Sequence, residues 1–416
     1  MKILALNCGS SSVKYQLYDW TNQVVMAKGV VERIGLDHSL IVHENSQTNE
    51  KHKIEYACNN HEIALSLILK VLAKGELAVI KDLKEISAIG HRVVHGGENF
   101  VKSELITDQV LEAIKAVSHL APLHNPANLI GIKAAQKILP DVPQVVIFDT
   151  AFHQTMPPKA YIYPVPYNWY HDHAIRRYGF HGTSHLYVSK RAAVNLGKKA
   201  ANCNIITAHI GNGASMCAIR NGISVDTSMG LTPLEGIVMG TRSGNIDPAI
   251  PLIMQEKLGV TPQEMDGILN KQCGVLGITT KYADRRDIED GAAANDKLCE
   301  LAIEIEAYYL RKYIGSYMAV LGHTDALVFT GGVGENSPLL RDKCLEGLEE
   351  MGIILDSAKN EDAFRNPKEI EISTPASRIK VYVIPTNEEQ VFIEDVAAIL
   401  EHKYTDHTKY AYSFLK

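Results

Sequence analysis

Two stretches that read alike decide the fold: ILALNCGSSSVKYQLYDW at residues 3–20 and IITAHIGNGASMCAIRNG at residues 205–222. Each is a short apolar strand, a polar residue (Asn7, His209), a glycine two positions on (Gly9, Gly211), a turn of small residues and a second strand. The two glycines stand 202 positions apart (211 − 9), about half of the 416-residue chain. A single strand–glycine–strand match can arise by chance. Here the C-terminal half also supplies helices and a further strand-to-glycine segment, DALVFTGGVGENS at 325–337, in the order a related α/β domain needs. The expectation is an α/β protein with an internal duplication.

Working outward, a third strand is expected near Gln23 to Gly29 and a helix over His61 to Lys74, where apolar residues recur at helical spacing. A strand from Ile86 to Val94 runs into HRVVHGG. One helix is capped by Thr107 and ends before Pro122; the next starts at Asn125, read as a cap, with Pro126 at the first helical position, and ends at Pro140. QVVIFD, Gln144 to Asp149, reads as a buried strand with an acid at its end. An amphipathic stretch from Asp296 to Leu321, a strand Ile379 to Ile384 and a helix from about Asn387 to Lys403 complete the chain.

Composition narrows the class. At 46% hydrophobic and 22% charged residues the chain is globular, and its length suits two or three domains. Forty-two basic against forty-eight acidic residues leave a net charge of −6 with no block of like charges, which excludes a general nucleic-acid or membrane-surface binder. No apolar run approaches a membrane span, so a cytoplasmic protein is expected. Seven scattered cysteines without a C-x-x-C pair read as free thiols, mostly buried.

Three glycine- and serine-rich turns follow apolar strands, at Asn7–Ser12, His209–Ser215 and Gly331–Ser337. Glycine lets the main chain approach an anion, and successive amides form a concave site for phosphate, so three such turns suggest a nucleotide. None is a P-loop, and a plain hairpin turn is the alternative at each. GVGENS, with Asp356 about twenty residues on, also has the outline of a dinucleotide fingerprint, but its third glycine is Ser337. Arg92, between two histidines, and Arg242, in GTRSGNID, are candidate forks for a carboxylate or phosphoryl group. Asp149 sits where open α/β sheets place functional groups. Asp284, Arg285 and Arg286 form a charge cluster for which a solvated helix start is equally open. His171, His173, His181 and His185 lack partners at zinc-ligand spacing. Glu388 and Glu389 open the last helix, where the dipole favours acids anyway.

Together NCGSSSVK (7–14), HRVVHGG (91–97), DTAFHQTMP (149–157), RRYGFHGTSH (176–185), HIGNGAS (209–215), GTRSGNIDP (240–248), GGVGEN (331–336) and PTNEE (385–389) resemble the acetate kinase family. That resemblance implies the sugar kinase, heat-shock ATPase and actin superfamily, with two duplicated ribonuclease-H-like domains around a nucleotide cleft: 1–150 plus 385–416, and 151–384. It implies reversible phosphoryl transfer from ATP to acetate, giving acetyl phosphate and ADP, with magnesium (or manganese in its place), in a cytoplasmic homodimer. By motif, Arg92 would hold the acyl carboxylate, and Val94, Leu123, Phe180 and Pro233 its methyl group. His181 and Arg242 would stabilise the transferring phosphoryl group. Asn7 and Glu388 would support the metal. Lys14, the loop His209, Ile210, Gly211, Asn212 and Gly213, the cluster Asp284, Arg285 and Arg286, and the loop Gly331, Gly332, Val333, Gly334 and Glu335 would bind the nucleotide. Asp149 is the family's essential acid. A carboxylate substrate with a pKa of about 4 to 5 is already ionised at pH 7, so Asp149 is expected to orient the nucleophile or magnesium in place of acting as a general base. A propionate or other short-chain acyl kinase, a sugar kinase and a nucleotide-gated binding protein are the competing functions.

Overall fold

The computed structural model describes all residues except 123, 366, 367 and 416. The chain forms two compact units: Met1–Phe152 with Asn387–Ser413, and His153–Thr386 with the residues from Phe414.

In the first unit, strands β1 (Lys2–Cys8), β2 (Ser12–Asp19), β3 (Val24–Glu32), β4 (Leu40–Asn45), β5 (Glu50–Glu55), β6 (Ile86–Val93), β7 (Glu104–Leu105) and β8 (Gln144–Phe148) form one sheet in the order β5-β4-β3-β2-β1-β6-β8-β7. β2 runs antiparallel to β1 and β3, whereas β6 is parallel to β1 and to β8. Ile3 to Leu6 are all buried, as a strand covered on both faces requires. On one face the helix His61–Ala73 packs Leu65, Ile68 and Leu72 against Leu4, Leu6 and Leu17. On the other, the helix Glu388–Leu400 returns late in the chain and buries Phe392, Ile393, Val396 and Ala397 against Ile3, Ala88, Val145 and Ile147. At about 1.5–3 kcal/mol for each large apolar side chain removed from water, that contact holds the helix firmly to this sheet.

The second unit has β9 (Asn204–Ile210), β10 (Ala214–Arg220), β11 (Ile223–Thr227), β12 (Ala326–Thr330), β13 (Ile370–Glu371) and β14 (Lys380–Val383), ordered β11-β10-β9-β12-β14-β13. Strand senses repeat those of the first unit: antiparallel across β9–β10–β11, parallel across β9–β12–β14. The burial patterns of β1 and β9 are identical position by position, with Asn7 and His209 the matching part-exposed residues near their ends. The expected duplicated α/β architecture is therefore observed. The helix Gly182–Asn195 covers one face through Val188, Ala192 and Ala193. The helix Lys297–Leu321, capped by Asp296, buries Leu310, Ile314 and Tyr317. Phe414 belongs with this unit because its ring packs 4.8 Å from that of Tyr187 and its carbonyl accepts from Arg191 Nη1 at 2.6 Å.

Two local readings are corrected. Asn125 is not a cap: the helix Asn125–Ile138 begins on it, and its amide is used across the chain. Asn125 Oδ1 accepts from His95 N at 3.1 Å and Nδ2 donates to His95 O at 2.9 Å, while Asn128 does the same for Val94 N and Cys8 O. Three of these bonds fix the segment that follows β6, and the fourth ties the helix to the end of β1. Gly331–Ser337 is not an open loop: residues Gly331–Asn336 form a short helix. Glu335 closes it, its carboxylate accepting from the Gly331 amide at 2.9 Å and the Thr386 amide at 3.2 Å. Gly331 has φ +78°, and a Cβ there would lie 2.9 Å from the Ile210 carbonyl oxygen, so only glycine lets this turn close onto the end of β9. The dinucleotide reading fails with it, because Asp356 opens another helix, capping Lys359 N at 3.1 Å, and the sheet is half antiparallel.

Candidate active site

In the first unit the functional side chains gather where β1, β6 and β8 end. Arg92 lies opposite Ile147 in the β6–β8 register, so it reaches the residue that follows β8, Asp149. The contact is bidentate, Nε to Oδ1 at 2.8 Å and Nη2 to Oδ2 at 2.5 Å. Asp149 is 1% exposed. Burial pushes its carboxyl above the ordinary value, opposed by the Arg92 charge and both hydrogen bonds, and Glu388 adds to the rise. Burial acts to lower the Arg92 guanidinium, but Asp149 outweighs it and holds the group above its usual value. The Arg92 charge is thus what favours ionisation of so deeply buried a carboxylate. Arg92 Nη1 makes no hydrogen bond among the described residues, and Arg92 lines a cavity of about 480 Å³ with Asn7, Lys14, Glu388 and Glu389. Lys14 is exposed and stands directly opposite Asn7 across the β1–β2 pair. Val94 is buried. The histidines flanking Arg92 are structural: His91 Nε2 bonds Gln144 at 2.8 Å and burial lowers its pKa to about 4, while His95 Nδ1 accepts from Gly97 N.

The second unit brings together His181, His209, Ser215 and Arg242. His181 precedes the helix Gly182–Asn195 in a left-handed conformation, φ 56° and ψ 27°, and makes no capping bond. Its ring instead stacks on His209 at 4.2 Å between centroids, and its Nδ1 lies 2.8 Å from Ser215 Oγ. A Cβ built on Gly213 would lie 3.2 Å from Arg242 Nη1 and 3.8 Å from His181 Nε2, so both side chains border this one glycine. The loop carrying Arg242 is tied to the loop carrying Gly213 by Gly240 N donating to Asn212 O at 2.9 Å, and Arg242 Nη1 donates to Pro233 O at 3.2 Å. Burial lowers the Arg242 pKa, yet an arginine stays charged at neutral pH.

The sequence profile described as the acetokinase family matches residues 2–394. The chain belongs to the acetokinase family. It is 60% identical over 416 residues to an acetate kinase of Geobacter metallireducens, covering all of this chain and 99% of that one. It is 57% identical over 402 residues to an acetate kinase of Thermotoga maritima, at 96% and 99% coverage. The crystal structure of Porphyromonas gingivalis acetate kinase superposes with TM-score 0.91 at 47% identity, over 96% of this chain and 99% of that one. A propionate kinase from Francisella tularensis superposes with TM-score 0.88 at 43% identity, over 95% and 99%.

In this acetokinase the remaining expected residues divide by where their side chains go. Phe180 is buried and its carbonyl bonds His153 Nε2 at 2.9 Å; Pro233 is part-exposed on the Arg242 loop. Leu123 lies outside the described residues. Asp284 caps the helix Arg285–Ala293 and pairs with the exposed Arg286, Nη2 to Oδ2 at 2.6 Å. Arg285 turns inward, its guanidinium paired with Glu306, including Nε to Oε2 at 2.6 Å, so its charge is neutralised inside the unit. Glu335 serves the turn that its own carboxylate closes. Among the described residues no cluster of three or more His, Cys, Asp or Glu is arranged around a metal, and no helix is long and apolar enough to cross a membrane.

Sequence reading missed Ser215, buried beneath His181, and Arg177. Arg177 Nη1 donates to the carbonyls of Thr227, Ser228 and Met229, and its Nη2 pairs with Glu235 at 2.6 Å, clamping the start of the loop that carries Pro233. Both positions lay inside quoted motifs, but nothing local distinguished them. Gly213→Ala places a methyl between Arg242 and His181 and is expected to lower kcat by about 10- to 100-fold, on the scale of a 1 Å misplacement. Steady-state kinetics on the folded variant check it, and turnover within twofold of the parent contradicts the convergence of the two donors on Gly213.

Proposed function

We propose that this acetokinase transfers the γ-phosphoryl group of ATP directly to acetate, reversibly, giving acetyl phosphate and ADP. The observation that carries the reading is the approach of Arg242 and His181 to a single side-chain-free position at Gly213. Phosphoryl transfer spreads negative charge over the equatorial oxygens, so an arginine and an imidazole N–H donor fixed at one point supply most of what catalysis needs. Arg92, which lines the cavity and has Nη1 outside its pairing with Asp149, holds the acetate carboxylate, and Asp149 holds Arg92. Because acetate is already ionised, no general base is required, and Asp149 orients the arginine without moving a proton. Lys14, the 209–213 loop and the 331–335 turn serve the nucleotide, joined by Arg286 in place of the inward-turned Arg285.

The donor set suits magnesium. Asn7 and Glu388 line the same cavity, and an ion that keeps most of its water and takes phosphate oxygens needs no more protein ligands than these. When bound, magnesium neutralises phosphate charge. A homodimeric state and a cytoplasmic location are part of the same proposal.

Acyl size separates the two readings that remain. By family motif Val94, Phe180 and Pro233 would each meet the acyl group, and one methylene changes binding by about 1–3 kcal/mol, so kcat/KM for propionate should fall below that for acetate by about 5- to 200-fold. The similarity to a propionate kinase makes the reverse order the specific alternative. A hydroxamate assay for acyl phosphate with acetate, propionate, butyrate and glucose as acceptors decides. A higher kcat/KM with propionate assigns the protein to that substrate, and ADP release with glucose alone contradicts acyl transfer altogether.

A further inference from the structure

Behind His181 stands a chain of buried hydroxyls and imidazole. Ser215 Oγ lies 2.8 Å from His181 Nδ1 and 2.8 Å from His185 Nε2, and His185 Nδ1 lies 2.7 Å from Thr207 Oγ1. Ser215, His185 and Thr207 are each 0% exposed. Three different elements supply them: Thr207 from β9, Ser215 from β10 and His185 from the helix Gly182–Asn195. A serine has one hydrogen to give, so between two imidazole nitrogens it donates to one ring and accepts from the other. Rotating any of these groups leaves a polar atom without its partner, and when Thr207 donates to His185 Nδ1, His185 Nε2 donates to Ser215 and Ser215 donates to His181 Nδ1, which leaves the His181 proton on Nε2. Burial, with His153 and His209 nearby, holds the His185 pKa well below the usual range, so this link is neutral and brings no positive charge next to His181.

His181 itself shows the same priority. A non-glycine residue in the left-handed region costs energy, and at a helix start the usual recompense is a side-chain cap. His181 has the left-handed φ of 56° without that cap and directs Nδ1 to Ser215 instead. With Nδ1 engaged behind, the Cε1–Nε2 edge of the ring borders Gly213, both atoms 3.8 Å from the position of its missing Cβ, beside Arg242 Nη1.

We propose that Ser215, backed by His185 and Thr207, is a positioning residue that fixes the tautomer and rotation of His181 so that Nε2 is the atom meeting the transferring phosphoryl group. This role rests on the phosphotransfer reading of the site. Ser215→Ala removes the hydroxyl from between the rings and is expected to lower kcat by about 10- to 100-fold, with KM for ATP and for acetate within about threefold of the parent. Ser215→Thr keeps the hydroxyl and returns most of the lost rate. Side-chain ¹⁵N NMR supplies a readout independent of turnover: His181 gives a single tautomer in the parent protein and mixed nitrogen shifts in Ser215→Ala. Thr207→Val cuts the far end of the chain and shifts both readouts in the same direction by a smaller amount, which keeps the test open should Ser215→Ala fail to fold.

His181→Ala separates the two levels of inference. An inactive His181→Ala beside a Ser215→Ala with kcat within twofold of the parent and unchanged His181 nitrogen shifts overturns the positioning role alone. That role is equally overturned if Ser215→Ala does not fold and Thr207→Val leaves both readouts unchanged. A His181→Ala that turns over normally overturns the phosphotransfer role of His181 on which the inference stands.

Discussion

Asp149→Asn is expected to lower kcat by about a thousandfold. The carboxylate is 1% exposed and holds both Nε and Nη2 of Arg92. An asparagine keeps the shape but offers one acceptor where there were two, and its NH₂ opposes an N–H of the arginine. Breaking a buried ion pair by neutralising one partner costs about 3–5 kcal/mol, which spans roughly two to four decades if it falls on the transition state. Part of it will fall on stability instead, so thermal unfolding must be measured beside kcat. A solvent deuterium isotope effect tells orientation from proton transfer. If Asp149 only orients Arg92, kcat of the parent and the residual kcat of Asp149→Asn show the same isotope effect. A normal isotope effect that disappears in Asp149→Asn assigns it a proton, and near-normal turnover removes it from the site.

Arg242→Ala should produce a loss of comparable or greater size, about 10³ or more in kcat, the scale of an arginine that stabilises phosphoryl-transfer charge. Only Nη1 of Arg242 has hydrogen-bond partners among the described residues, the Pro233 carbonyl and the Met239 sulfur, so the rest of the fork remains for substrate oxygens. Arg242→Lys is expected to recover little, because a single ammonium cannot span two oxygens from the position of a planar fork. ATP binding by the variant, followed by calorimetry, should stay within a few-fold of the parent, since the interaction belongs to the transition state. A parallel collapse of ATP affinity would assign Arg242 to ground-state binding.

Much of the fold was legible because its signals are local. The apolar run Ile3–Leu6, the glycine turn and the strand after it recur at Ile205–Ala208, and sheets with the same order and sense follow from them. The strand Glu50–Glu55 went unread because EKHKIE, at a sheet edge, has almost no apolar signal, and its partner Leu40–Asn45 offers only the short apolar run Leu40–Val42. Asn125 was misread since an asparagine before a proline looks the same whether it caps its own helix or reaches His95, thirty residues away (125 − 95). Arg285 and Arg286 are adjacent and alike in sequence; Glu306, in the next helix, draws one inward and leaves the other in solvent.

The sequence by itself determined the α/β class, the duplication, the family motifs and which residue types were available for phosphoryl chemistry. These depend on periodicity and turn preference, which act over a few neighbouring residues. Tertiary structure alone decided which atoms meet: that Asp149 grips Arg92, that Gly213 is the point Arg242 and His181 share, and that Ser215 stands between two imidazoles. Those partners lie on different strands and helices, and their pairing is set by sheet register and helix packing, long-range constraints that no short window of sequence contains.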